Sequence, residues 1–334
     1  MRRGCDASQG QGQGIEVSPR VSVNTIAKNA EATIADAIES TLRQSFQDFE
    51  HVLIDDGSAD GTKRIMDEYA ASDSRVRRID PEPHATLGQL RNQALQGSRG
   101  EYIAVLDADD VSMPDRLERE AAFLDDHPDY VLVGGTCYLR RGPDEPLRPS
   151  SLGLITDPDL LHAMLPIQNT LAHSCVMYRR DAAIAAGGYD ERLAMGQDYL
   201  LWLRLRERGR MTNLPRVVAI RRAGTGFTER SDHVTREAFA LAARQIVKYE
   251  RQARRLREGE PWEAILEDEE AAFAERERLA KAEWARAMRA EQSVWEINAV
   301  TRTFYYRLCR RLVLSPAGQA LRRLARAFVG RRAA

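Results

Sequence analysis

Three carboxylates, Asp107, Asp109 and Asp110, follow directly on the apolar run 102–106. Acids packed this tightly repel one another unless a cation sits among them, and hard carboxylate oxygens suit Mg2+ or Mn2+. The chemistry they point to is a divalent metal holding a phosphorylated ligand. A second acidic turn, Asp55-Asp56-Gly57-Ser58, closes the apolar run 51–54, and Asp198 stands beside Gln197 at the start of the apolar stretch 199–203. Taken alone, the Asp55 turn reads as a tight turn capping a helix, and Asp198 as an acid matched to a helix dipole.

These acids need elements to position them. Residues 102–106 show no polar alternation, which suits a parallel strand covered on both faces. The cluster then sits at a strand's carboxyl end, where open α/β sheets place ligands. Upstream, the strand 21–23 precedes a helix with Ile34, Ile38 and Leu42 on one stripe. The strand 51–54 precedes a helix with Ile65, Met66 and Tyr69, and a weaker strand, 76–79, precedes a helix with Leu87, Leu90 and Ala94 that carries Arg91 and Asn92. Strands alternating with helices imply right-handed crossovers and a largely parallel sheet, so Asp55, Asp56 and the 107–110 acids share one crevice.

Downstream, a helix is expected to begin near Ser112 or Met113, with Pro114 in its first turn. A strand at 130–133 is expected to close at Gly134-Gly135. Pro, Gly and polar residues dominate 143–172, which predicts a long loop over the site rather than core. A strand at 174–178, a short helix at 180–186, a turn at 187–191 and a helix opened by Gln197 with Asp198 in its first turn complete this part.

The 334 residues, 43% of them hydrophobic, suffice for one substantial core and an appendage. Cys5, Cys137, Cys175 and Cys309 include no C-x-x-C pair, so neither a zinc site nor a disulfide framework is indicated, and a cytoplasmic setting is expected. Residues 1–20 lack an apolar h-region and read as a disordered tail. No run reaches the ~18 apolar residues that span a bilayer. The net charge of -1 conceals an asymmetry, because residues 301–334 hold nine Arg and no Lys, Asp or Glu. Residues 231–300 read as a charged helical extension, and 301–334 as basic amphipathic helices able to rest on an anionic membrane surface. No nucleic-acid partner is expected.

In their order and spacing, Asp55-Asp56-Gly57-Ser58, Asp107-Ala108-Asp109-Asp110 and Gln197-Asp198 resemble the family 2 glycosyltransferases. The likeness spans residues 21–228 and includes Arg91-Asn92, Gly100-Glu101-Tyr102, Arg116-Leu117 and Gly187-Gly188-Tyr189-Asp190-Glu191; His173 fits a His-Ser-x-x-Met strand entry. The resemblance implies the α/β GT-A fold, a mostly parallel mixed sheet flanked by helices, here with a C-terminal α-helical extension. It implies an inverting enzyme that takes a sugar from a nucleotide-diphosphate donor, most simply a UDP-sugar, to a hydroxyl of a glycan or lipid-linked acceptor at the inner membrane face. Under it Asp56 contacts the donor base, since a carboxylate accepts from a ring N–H, and Asp55 supports that loop. Asp109 and Asp110 hold Mn2+ or Mg2+, Asp107 reaches the ribose or a metal-bound water, and Arg91 steadies the donor. Asp198 matches the general base, with Gln197 in place of the commoner Glu. Two stretches depart from the pattern: Asn24-Thr25-Ile26 with Lys28 beside the base pocket, and Arg221-Arg222-Ala223-Gly224-Thr225, which lacks a His. Two other readings compete. Asp107-Ala108-Asp109-Asp110-Val111 also fits the D-x-D-x-V of haloacid dehalogenase-like phosphohydrolases, and a catalytically inactive sugar-nucleotide binder is the second.

Overall fold

The computed structural model describes residues 18–142, 145–150, 152–166 and 168–222, short runs between 240 and 260, and residues 264 and 278. Residues 1–17 of the expected tail, nearly all of the charged extension and all of 301–334 lie outside the described residues.

Three β-turn-α units open the fold: β1 (Val21–Ala27) and α1 (Ile34–Leu42), β2 (Phe49–Asp55) and α2 (Thr62–Ser72), β3 (Val76–Ile79) and α3 (Leu87–Gly97). Next come β4 (Tyr102–Val105), β5 (Val111–Ser112), α4 (Arg116–Asp126), β6 (Tyr130–Arg140), β7 (Arg148–Pro149) and α5 (Pro158–Met164). A 3-10 turn at His173–Cys175 leads into β8 (Val176–Arg179), then α6 (Arg180–Ala185), α7 (Gln197–Leu205) and β9 (Arg210–Arg222). One sheet holds every strand in the order β3-β2-β1-β4-β8-β6-β9-β5, with β7 on β6. β1 runs parallel to both β2 and β4, with Ala27 opposite Asp55 and Asn24 opposite Val105, so β1 and β2 end level while β4 stops short of them at the same edge. Antiparallel β8 joins this half to β6, and β6 pairs in parallel with β9. The sheet is therefore mixed, and its parallel half carries the acid turns, as the periodicity requires.

The largest apolar cluster lies between the β4–β8–β6 face and α7, whose Tyr199, Leu200, Leu201, Trp202, Leu203 and Leu205 are all buried. Each such side chain contributes about 1.5–3 kcal/mol by leaving water. Ala243 and Val247 join the same cluster, so the chain after the sheet packs against α7.

Several expectations need correction. The helix after the acids starts at Arg116, because Val111 and Ser112 first pair with Ile220 and Ala219 of β9. β6 does not end at Gly134-Gly135 but runs through both to Arg140. A Cβ on Gly135 would lie 2.5 Å from Val218 Cγ1, so glycine there permits β9 to approach, at a point where the register shifts. The stretch 143–172 is not simply a loop. Asp157 accepts from Asp159 N–H and Leu160 N–H to cap α5, and Ile155, Leu161, Met164, Leu165 and Leu171 enter the main core. Strand β9 was not anticipated, since Pro215 and the flanking arginines mask its pattern.

One buried ion pair braces the sheet beneath the acid loop. Arg116 and Glu120 on α4 are both fully buried, with Arg116 Nε donating to Glu120 Oε2 at 3.0 Å and Nη2 donating to the Val176 carbonyl at 3.0 Å. Burial pushes Glu120 up to about 7 against the pull of Arg116. Arg116→Met strands that carboxylate, and the expected loss is about 3–5 kcal/mol of unfolding free energy. Urea denaturation reads it; a loss under 1 kcal/mol would show the pair to be dispensable.

Candidate active site

The acid loop is tied down on every side. Thr25 Oγ1 donates to the Leu106 carbonyl at 2.7 Å, Asp107 N–H to Ser174 Oγ at 2.8 Å, and Thr33 Oγ1 to the Ala108 carbonyl at 3.0 Å. Asp110 N–H closes a turn onto the Asp107 carbonyl at 3.1 Å. β1, α1, the 3-10 turn and β9 thus hold the loop.

Its carboxylates have unlike surroundings. Asp107 leaves 37% of its side chain exposed and lies 3.2 Å from His173 Nδ1. Burial would raise its pKa, but the His173 hydrogen bond, with Arg91 and Arg221, holds it below the usual carboxylate range. Asp109 is partly exposed. Asp110 is only 2% exposed: its Oδ1 accepts from Arg222 N–H at 2.8 Å and its Oδ2 lies 3.4 Å from Arg221 Nε. Burial, with Asp107 and Asp109 adding and Arg221 opposing, pushes Asp110 up to about 8. Of the two acids expected to hold a metal, Asp109 is partly exposed and Asp110 is turned to β9.

Among the described residues no three His, Cys, Asp or Glu side chains form a ready metal cage. Mg2+ and Mn2+ are commonly held by one or two carboxylates and completed by phosphate oxygens and water. The partly exposed oxygens of Asp107 and Asp109, two residues apart on a fixed loop, fit that mode.

The neighbouring acid turn is equally ordered. Asp55 accepts from Ser58 N–H at 3.2 Å and supports the turn after β2. Asp56 lies 3.1 Å from Lys28 Nζ, a residue that follows β1. Asn29 ties the two turns together, donating its N–H to Ser58 Oγ at 2.9 Å and accepting from Ala59 N–H at 2.8 Å. A donor-side wall thus runs from Lys28 and Asp56 to the acid loop.

Asp198 occupies the first turn of α7, partly exposed between buried Gln197 and Tyr199. Gln197 Nε2 donates to the Leu193 carbonyl at 2.7 Å, which turns its Oε1 to Arg91 Nη1 at 3.1 Å. Only a neutral amide serves both contacts; a carboxylate there would set its charge against the Leu193 carbonyl. Arg91 also lies over the Tyr189 ring, 5.5 Å from its centroid. Burial, with the Asp198 and Asp107 carboxylates adding and Arg91 opposing, pushes the Tyr189 phenol up to about 12. Asp107 is linked to Tyr189 through His173, and Arg91 spans Tyr189 and Gln197, next to Asp198. Composition and spacing did not single out Tyr189; its place in the Gly-Gly-Tyr-Asp-Glu turn was the available signal, as the His-Ser entry was for His173.

A cavity of about 670 Å³ lies behind Tyr189, lined mainly by the ion-paired Arg192, Arg204 and Arg251 with Asp190, Glu207 and Glu250. None of the acids named above from the two turns or α7 lines it. It marks where the 247–254 segment docks, not where the acids converge.

Comparison with known proteins bears on the family and the fold. The family described as Glycosyl transferase family 2 matches residues 22–186. EpsE of Bacillus subtilis, which carries a glycosyltransferase name, is 37% identical over 194 residues, 57% of this chain and 68% of its own length. The amylovoran biosynthesis glycosyltransferase AmsE of Erwinia amylovora is 28% identical over 211 residues, 63% of this chain and 78% of its own. Among solved structures, S. aureus TarS 1-349 in complex with UDP-GlcNAc aligns with a TM-score of 0.57 at 23% identity, covering 69% of this chain and 66% of that one. Mannosyltransferase PcManGT from Pyrobaculum calidifontis, in complex with GDP-Man and Mn2+, aligns with a TM-score of 0.53 at 17% identity, covering 92% and 84%. At these identities the structural likeness is one of fold.

Proposed function

The chain belongs to glycosyl transferase family 2 and is a glycosyltransferase of the GT-A fold, and on that premise we propose that it transfers a sugar, with inversion, from a nucleotide-diphosphate donor to a hydroxyl of a glycan or lipid-linked acceptor. Family membership removes the phosphohydrolase alternative. The observation that supports the reading is the run of contacts from Asp107, just past β4, through His173, Tyr189 and Arg91 to Gln197, the neighbour of Asp198 at the head of α7.

Asp56 accepts from the ring N–H of the donor base, most simply uracil, while Asp55 holds the turn and Lys28 stands beside it. Asp107 reaches the ribose side, and Arg91 steadies the donor from α3. Asp109 is the outward ligand for Mn2+ or Mg2+, and Asp110, anchored to Arg222 N–H and Arg221, completes the acid pair from the buried side. A divalent cation held there offsets charge growing on the departing diphosphate. Asp198 takes the proton from the acceptor hydroxyl as that oxygen attacks the anomeric carbon opposite the leaving group. A single displacement inverts the centre. The nine arginines of 301–334, a stretch outside the described residues, motivate a proposed attachment to an anionic membrane surface that carries the acceptor.

A panel of sugar nucleotides, assayed for nucleotide release with Mn2+, Mg2+ or EDTA, tests this. Release is expected from one donor class and to stop in EDTA. Release indifferent to EDTA overturns the metal-assisted mechanism, and no release from any sugar nucleotide overturns the transfer. Removing residues 301–334 is expected to abolish binding to anionic liposomes; unchanged binding rejects the membrane foot.

A further inference from the structure

Three motifs still lack assigned chemistry: Asn92 of the Arg-Asn pair, the His173-Ser174 strand entry, and the Gly187-Gly188-Tyr189 turn. They meet in one hydrogen-bonded chain. Asn92 brackets Tyr189, its Oδ1 accepting from Tyr189 N–H at 2.8 Å and its Nδ2 donating to the Tyr189 carbonyl at 2.9 Å. Gly188, with φ of +65°, lets the turn pass so near that a Cβ would fall 2.5 Å from Asn92 Oδ1. The Tyr189 hydroxyl lies 3.1 Å from the Tyr178 hydroxyl and 3.2 Å from His173 Nε2. His173 Nδ1 lies 3.2 Å from Asp107 Oδ1.

Because an ionised carboxylate only accepts, Nδ1–H is the donor to Asp107. Nε2 then accepts from the Tyr189 hydroxyl, which accepts in turn from Tyr178. That assignment uses each group once and leaves no buried donor unmatched along the chain. The ring is packed as well as bonded, with Tyr189 edge-on at 5.9 Å and Trp202 of α7 at 6.2 Å. His173 is a tenth exposed and Tyr189 is buried. Ser174, next in the chain, holds the Asp107 backbone at 2.8 Å.

We propose that His173 is a positioning residue that fixes the orientation of the Asp107 carboxylate, with Tyr189 locking its tautomer and α3 and α7 setting its place. The acid loop is thereby registered against the helix that bears Asp198, so the two halves of the site are aligned by one tyrosine–histidine link. The assignment of Asp107 to the donor rests on the function proposed above; the link does not.

The test compares His173→Ala, His173→Asn and Tyr189→Phe with wild type, all as full-length protein. Asn can return an N–H to Asp107 where Ala cannot. Supporting residues behind a metal or charged ligand commonly cost 10–100-fold when removed, so His173→Ala is expected to weaken UDP or GDP binding in the presence of Mn2+ by about tenfold or more. His173→Asn is expected to recover most of that loss, and Tyr189→Phe to fall between. Equal affinity in His173→Ala, or no recovery in His173→Asn, overturns the proposal. Long-range 15N NMR of the imidazole decides independently of any nucleotide. A protonated Nδ1 whose shift moves in Asp107→Asn supports the link, whereas an Nε2–H tautomer unaffected by that substitution refutes it. Should wild type bind neither nucleotide, the donor reading falls while the imidazole spectrum still judges the link.

Discussion

Asp198→Asn is expected to lower kcat by about 10²–10⁴-fold, the usual worth of a positioned general base, with donor affinity nearly unchanged. The substitution conserves shape. Asp198 sits on a helix whose neighbouring residues are buried, so the backbone has little freedom to respond. The amide cannot take a proton from the acceptor hydroxyl, and loss of the carboxylate also removes an acid at a helix N-terminus, worth only about 0.3–1 kcal/mol. The stability change is therefore small beside the kinetic one. Steady-state kinetics with the active donor, alongside nucleotide titration, separate the two. A kcat within tenfold of wild type would remove Asp198 from the chemistry and leave it a helix-dipole partner.

Asp109→Asn is expected to produce the second large effect, a fall in kcat/KM of about 10²–10³-fold. That range corresponds to several kcal/mol of lost charge stabilisation at the leaving diphosphate. The contrast with Asp110→Asn is informative. Asp110 is 2% exposed and accepts from Arg222 N–H, a bond an Asn oxygen retains. Its variant is expected to lose less of the metal response and more of the order of the β9 end. Mn2+ titration of activity for both variants tests this. Equal losses would mean that both acids bind the cation directly. A normal metal response in Asp109→Asn would move the cation to Asp107.

The linked pair in the core and the linked pair in the site illustrate different uses of burial. Arg116 and Glu120 are both fully enclosed, and their expected contribution is to stability. Gln197 is buried beside Asp198, but its amide reaches Arg91, an expected donor contact, so its worth lies in geometry. The same chemistry explains the departure from an acidic pair at 197–198: the Leu193 carbonyl demands a donor that a carboxylate lacks.

Much of the parallel half of the fold was legible because short strand-like runs there, clearest at 102–106, alternate with helical stripes. Periodicity placed β1 to β4 and the helices between them, and right-handed crossover then put the acid turns on one edge. Past residue 107 the same logic found β6, α6 and α7 but missed other elements. Ser112 read as the start of a helix because the strand partners of Val111 and Ser112, Ile220 and Ala219, lie about a hundred residues away. β6 read as ending at Gly134-Gly135 because glycine is ordinarily punctuation, whereas here it admits the side chain of Val218. The α5 segment read as loop because Pro and Asp at its start are also loop residues, and only core packing of Leu161 and Leu165 decides otherwise.

By itself, then, the sequence determined at which strand and helix ends the carboxylates stand and what chemistry hard oxygens at such ends can perform. These follow from local periodicity and residue type, which need no distant contact. Only the tertiary structure decided how the acids differ from one another. Asp107 meets His173, Asp110 meets Arg221 and the backbone of Arg222, and Asp109 is partly exposed. Those partners come from the 3-10 turn and from β9, elements brought in by long-range pairing that no local pattern encodes. The alignment of the acid loop with the head of α7 has the same origin, since the His173–Tyr189 and Arg91–Gln197 contacts form only after α3, β8 and α7 have packed.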